Sequence, residues 1–314
     1  MRPDWPRVVS RAARRGFRSI GAVPEGDTIH RTAAALRTAL VGRPTRRFDA
    51  PRLFGPKPAP GRVVELVEAH GKHLEIRWDD GLVLHTHMRM SGSWHLYRVG
   101  EPWQRPQGQA RVVIQVPEWV AVCFNAPVVE TYRELNMQRH PRSGRLGADL
   151  VSATIPELEN AARTLYNYHD RELLVSEALL DQHLFCGVGN VYRSEVLWAT
   201  QVSPFAKVGS LEPADCKHLI TTAARLLRSN LRAGEPRSLM VYGRNGQPCQ
   251  RCGDTLRVRR VGDQARVLYW CAGCQTVHEP VRAAEPSNPL LEMDPHPAAR
   301  RFLADLPWRR TETG

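Results

Sequence analysis

Between residues 28 and 40, Ile29, Ala33, Leu36 and Leu40 recur at the three- and four-residue spacing of an amphipathic helix. The period then changes. Arg62 to Val67 leads through His70-Gly71-Lys72 into Leu74-Glu75-Ile76-Arg77-Trp78, whose alternation turns one face inward, and Asp79-Asp80-Gly81 reverses the chain into Leu82 to Met88. Similar runs at Ser93 to Tyr97, Arg111 to Val116 and Trp119 to Phe124 predict a sandwich or barrel-like sheet. Helical spacing returns at Ile155 to Tyr166, Glu172 to Gln182, Val191 to Ala199 and Pro213 to Arg232, broken by the glycines of Phe185 to Asn190.

A boundary therefore falls near residue 150. The expected organisation is α+β and multidomain, with limits at 23–150 for the sheet unit, 151–240 for the helical unit and 241–275 for a cysteine-bearing hairpin. Residues 276–314 form a proline-rich tail, and residues 1–22, with six arginines and one aspartate, stand apart.

Composition narrows the function. The chain has 314 residues, 42% hydrophobic and 24% charged, enough apolar matter for one or two cores. It contains no run of 18 apolar residues and no secretory signal pattern, so a cytoplasmic protein without membrane contact is expected. A formal charge of +12 favours a polyanion, nucleic acid first. All but four of the 44 basic residues are arginines, which reflects a GC-rich genome as much as binding.

Of seven cysteines, Cys249, Cys252, Cys271 and Cys274 form two Cys-x-x-Cys pairs separated by 18 residues. That spacing predicts a β-hairpin joining two knuckles around one tetrahedral Zn²⁺, structural because four thiolates leave no open position. Arg257, Arg259, Arg260 and Arg266 would lie on this small module, suited to phosphate. His85 and His87 alternate on one strand face, and two histidines without further ligands do not make a second metal site.

Pro24-Glu25-Gly26-Asp27 before a helix, Gly71-Lys72 in a β region, Gly187-Val188-Gly189-Asn190 between helices and Tyr242-Gly243-Arg244 before the paired cysteines occur in that order. Together, over residues 23 to 275, they resemble the formamidopyrimidine-DNA glycosylase and endonuclease VIII family, closer to the endonuclease VIII branch. The resemblance implies an N-terminal β-sandwich with flanking helices, a helix-two-turn-helix domain and a C-terminal β-hairpin zinc finger. It also implies a monomer that acts on damaged DNA, excises oxidised bases and needs no nucleotide cofactor.

Such an enzyme attacks C1′ of the sugar with an amine and forms an iminium that acidifies the C2′ proton for elimination. A terminal amine with pKa near 7.7 to 8.0 leaves about one molecule in ten unprotonated at pH 7, against about one in 2,500 for an ordinary lysine. The resemblance gives the amine to Pro24, a proton-handling role to Glu25, and a phosphate contact that assists catalysis to Lys72. Asn190 and Arg266 would hold phosphates, and Met90 would be the wedge filling the space of an extruded nucleotide. Thr28 stands where the family usually has a second glutamate.

Each residue has a plainer reading: Pro24, Glu25 and Asp27 as a helix start, Lys72 and Arg266 as solvated, Asn190 as a helix cap, Met90 as core. Pro24 is internal, and an amide nitrogen is no nucleophile. Val23 precedes it, and valine's GTG codon can serve as a bacterial start, so residues 1–22 are expected to be a gene-model extension. The alternatives are a processed precursor or a catalytically silent DNA-binding relative.

Overall fold

The computed structural model describes residues 24–133, 146–231 and 237–278, all within the compact unit that ends at Glu279. The expectations for residues 1–22 and for the tail beyond 278 lie outside them.

Helix α1 (Gly26–Leu40) buries Ile29, Ala33, Leu36 and Leu40, the positions its periodicity marks. It packs with two four-stranded antiparallel sheets. One runs β1 (Arg47–Asp49), β6 (Ala110–Gln115), β7 (Trp119–Phe124), β5 (Ser93–Arg98); the other runs β2 (Val64–His70), β3 (His73–Trp78), β4 (Leu82–His87), β8 (Val128–Arg133). Alternation along β3 buries Leu74, Ile76 and Trp78 and leaves His73, Glu75 and Arg77 partly exposed on the other face. The inward residues meet Val112, Ile114, Ala121 and Cys123 of the facing sheet and the apolar stripe of α1 in one core.

The second half is built on helices α2 (Ile155–Tyr166), α4 (Asn190–Thr200) and α5 (Pro213–Ser229). A capping box of Thr154 and Glu157 starts α2. The expected helix over 172 to 182 shrinks to the single turn α3 (Val175–Ala178). The Leu173 carbonyl instead accepts from the Val208 amide and the Val175 amide donates to the Ala206 carbonyl, so tertiary pairing overrides the local period there. A short parallel ladder, β9 (Ala148–Asp149) against β10 (Phe185–Cys186), sets Asp149 beside Cys186. The hairpin of β11 (Leu256–Val261) and β12 (Arg266–Cys271) adds Val261 and Leu268 to the helical core.

The short or weakly patterned strands β1, β9 and β10 carried no readable period, and neither did β8. Trp78 is fully buried, and its indole donates to Thr45 Oγ1 at 2.8 Å. Replacing Trp78 by Ala is expected to cost about 3–5 kcal/mol, seen as a lower urea midpoint for the β-sandwich signal.

Candidate nucleic-acid and catalytic site

Glu25 precedes α1 at its N-cap position but makes no side-chain cap to that helix. Its carboxylate crosses to the start of α4 and accepts hydrogen bonds from the amides of Val191 at 2.8 Å and of Gly189 and Tyr192 at 3.1 Å. Beside it, the amide of Gly26 donates to the Gly187 carbonyl at 2.9 Å. Gly189 is required sterically, since a Cβ there would stand 2.4 Å from Glu25 Oε1. The chemistry of Glu25 is thus not that of a solvated first-turn acid. Burial pushes its carboxyl above the usual carboxylate range, opposed by the nearby Lys72 ammonium and by the amide hydrogen bonds.

Lys72 lies in the turn between β2 and β3, half-buried, and its ammonium donates to the Val188 carbonyl. Burial pulls its pKa down, Glu25 opposes this, and Arg266 adds to the lowering. Gly71 adopts φ +56°, and a Cβ there would meet Cys186 Sγ at 2.6 Å, so only glycine lets the turn seat against β10. The Gly71 amide donates to Asp149 Oδ2 at 2.9 Å. The same oxygen lies 2.6 Å from His30 Nε2, and Asp149 Oδ1 accepts from the Val151 amide. Against the upward push of burial, these bonds hold the Asp149 carboxyl below its usual range.

Asn190 opens α4, but the cap of that helix is supplied by Glu25. Its own Oδ1 is buried without a hydrogen-bond partner. Arg266 opens β12, and its guanidinium rests on Gln264 Oε1. It lines a cleft of about 230 Å³ with Arg193, Glu177 and Gly262. Arg193 is fully buried, donates to the Val267 carbonyl at 2.7 Å and keeps an unpartnered Nε. Asp181 and Asp263 also line it, so the two guanidiniums face three carboxylates there. Met90, at the turn between β4 and β5, is 75% exposed, whereas Met88 is the core methionine.

The fold therefore gathers Pro24, Glu25, Lys72 and Asn190 where the first turn of α1 meets the start of α4. The charge of Arg266 reaches this group from the hairpin; Met90 stands on a separate turn. Three further side chains complete the arrangement: Arg237 and Glu195, unmarked in the sequence, and Asp27, marked there only as part of its motif and as a first-turn acid. Asp27 is fully buried and takes a two-point ion pair from Arg237, whose Nη2 also donates to Thr28 Oγ1 at 2.7 Å. Glu195 accepts from the amides of Met240, Val241 and Tyr242, fixing the segment that leads into the cysteines. No local period announces partners 46 or 210 residues apart. His85 bonds both His73 and Glu130, so the paired histidines belong to a polar ladder on the sheet face.

Cys249, Cys252, Cys271 and Cys274 converge with sulfurs mutually within 4.8 Å, including 3.7 Å for Cys249–Cys274 and 3.4 Å for Cys252–Cys271. Those separations fit a tetrahedral cation with metal–sulfur bonds of about 2.3 Å. Although burial opposes it, donation by the Trp198 indole and the Arg251 amide holds the Cys249 thiol down to about 6, ready to be a thiolate.

The chain belongs to the formamidopyrimidine-DNA glycosylase family: its N-terminal domain model matches residues 23–127 and its helix-two-turn-helix domain model residues 156–240. Among the family's members it is similar to "Probable endonuclease 8 2" of Streptomyces coelicolor, 38% identical over 81% of this chain and 94% of that protein. It is likewise 37% identical to "DNA-(apurinic or apyrimidinic site) lyase Nei2" of Mycolicibacterium smegmatis, over 81% and 99%. Lactococcus lactis formamidopyrimidine-DNA glycosylase, crystallised with DNA containing an abasic site, shares the fold with a TM-score of 0.70 at 20% identity, over 80% and 99%.

Because Glu25's folded-state pKa is raised, the folded chain holds its proton longer than the unfolded chain does. Its contribution to stability is complete below the ordinary value of 4.5 and is lost as pH rises through the raised value. Urea titrations of wild type and Glu25→Gln should therefore differ by a constant below 4.5 and change from there through the raised value, with wild type losing ground. Parallel curves would show a solvated carboxylate.

Proposed function

We propose that the protein is a bifunctional DNA glycosylase and abasic-site lyase that removes oxidised bases, mainly pyrimidines, and nicks the strand by elimination through a Schiff base. The observation that carries this reading is the buried Glu25 carboxylate, directly after Pro24, set on the amides of α4 with the Lys72 ammonium close by. The start of the family match at residue 23 supports Pro24 as the nucleophile when its nitrogen is free.

In the reaction, the Pro24 nitrogen bonds to C1′ as the C1′–N bond to the base breaks, and the sugar ring opens to an iminium. Loss of a C2′ proton then expels the 3′ phosphate. Glu25 exchanges protons with the sugar oxygen, a task suited to a carboxyl whose pKa burial has raised. Lys72, Asn190 and Arg266 hold backbone phosphates of damaged DNA, and exposed Met90 enters the emptied stack. The four cysteines hold one structural Zn²⁺ that keeps Arg266 in place; it supplies rigidity and no reaction step. The domain limits 23–150, 151–240 and 241–275, a monomeric state and a cytoplasmic location belong to the same reading.

The rival is a catalytically silent DNA-binding relative, which follows if Pro24 stays within an amide. Borohydride separates the two. Protein beginning at Pro24 should be trapped covalently on abasic-site DNA through Pro24, and the full chain should not; an adduct on Lys72 in both forms would identify a different amine. Glu25→Gln should slow base excision about 10²- to 10⁴-fold while changing DNA affinity little. Asn190→Ala and Arg266→Ala should each weaken binding across lesions, and Arg266→Ala, which removes a charge, should also lower the salt slope by about one. Cys252→Ser should lose bound metal and DNA affinity but keep the sandwich folded, as metal analysis and circular dichroism would show.

A further inference from the structure

His70, Asp149 and Cys186 converge behind the Lys72 turn, each from a different segment: the end of β2, β9 and β10. One donor atom from each lies within 4.8 Å of the others. The convergence is imposed by the fold, because β9 pairs with β10 at Asp149 and Cys186, and the Gly71 amide anchors the end of β2 to the same carboxylate. Asp149 and Cys186 are buried, while His70 is exposed. His30 and His70 also line a cavity of about 520 Å³ on this side, with Glu68, His73 and Glu75 on its wall. Of the three donors, His70 is thus the one that borders open space.

We propose that His70, Asp149 and Cys186 form a second metal site, separate from the four-cysteine module, for a borderline-soft divalent cation such as Zn²⁺ or Cd²⁺. One nitrogen, one oxygen and one sulfur suit such ions and disfavour Mg²⁺ or Ca²⁺, which take oxygen alone. Three protein donors leave a fourth position for water. His30, bonded to Asp149 at 2.6 Å, orients the carboxylate from behind as outer-shell partners of metal ligands do. On binding, the Cys186 S–H bond breaks, its proton passes to solvent and the sulfur pair bonds the ion, with no change of oxidation state.

The consequence is regulatory. His70 is two residues before Lys72, so an ion bonded to Asp149 and Cys186 would fasten the lysine turn to the segments that lead into the helical half. Insofar as Lys72 serves the proposed reaction, cation binding would restrict the movement of its turn; the site itself does not depend on that reading.

The test is metal stoichiometry on the full chain. Dialysed against micromolar Zn²⁺, wild type should bind a second equivalent that His70→Ala and Cys186→Ser both lose while retaining the first. Cd²⁺ titration should add the thiolate charge-transfer absorbance of one more sulfur, absent from Cys186→Ser. His30→Ala should weaken the second equivalent about 10- to 100-fold. Saturation of wild type at a single equivalent, or a second equivalent that survives both His70→Ala and Cys186→Ser, would overturn the proposal.

Discussion

One carboxylate joins the two halves of this molecule. Glu25 leaves the first turn of its own helix uncapped and instead satisfies three amides at the start of α4, a contact that spans more than 160 residues of sequence. Amides at a helix start carry partial positive charge and need acceptors, so an anion there is stabilised both by hydrogen bonds and by the helix field. Removing the acceptor would strand three donors inside the protein, each costing about 1–3 kcal/mol. The position of Pro24 is set by the same bond, since it is the next residue in the chain. Structure and proposed chemistry therefore rest on a single group.

Around that contact, charge is buried in linked pairs. Asp27 with Arg237, and Asp149 with His30 and the Gly71 amide, each fasten the first turns of α1 to a distant segment. The Lys72 ammonium, turned onto the Val188 carbonyl, sits between these anchors. Buried pairs of this sort contribute more to a defined geometry than to net stability, because desolvation offsets much of their attraction. Here the geometry they define is that of three chain segments meeting at one point. The arrangement also accounts for Thr28, whose hydroxyl accepts from Arg237 in a place where a larger acid would compete with Asp27.

Much of this was legible in the sequence wherever a local rule applied. The period of α1, the alternation of β3, the Cys-x-x-Cys spacing and the glycine interruption at 187–189 all report on neighbours a few residues away, and all correspond to what the fold contains. Local rules failed where distant partners decide. Leu173 and Val175 lie in the stretch from Glu172 to Gln182 read as helical but pair with Val208 and Ala206, and β9 and β10 are two residues long with no period to detect. Glu25 was readable as important through the motif it sits in, but its acceptor role for α4 was not. Asp149, Glu195 and Arg237 carried no signal at all, and Asp27 only that of a first-turn acid in its motif, because an ion pair or a capped turn across 46 or 210 positions leaves no imprint on either flank.

Helix α4 has a second bond of the same kind: Glu195 reaches out from it to hold the amides of Met240, Val241 and Tyr242. The helix is thus pinned at its first turn by one half of the molecule and, from its middle, pins the approach to the cysteines. Its 11 residues span roughly 16 Å at 1.5 Å each. Adding or deleting one residue between Val191 and Glu195 would rotate everything beyond by about 100° and leave one of the two triple contacts pointing into solvent. Surface connections in this chain can lengthen or shorten over evolutionary time, but this stretch of helix can only exchange side chains, and its length works as a ruler for the whole assembly.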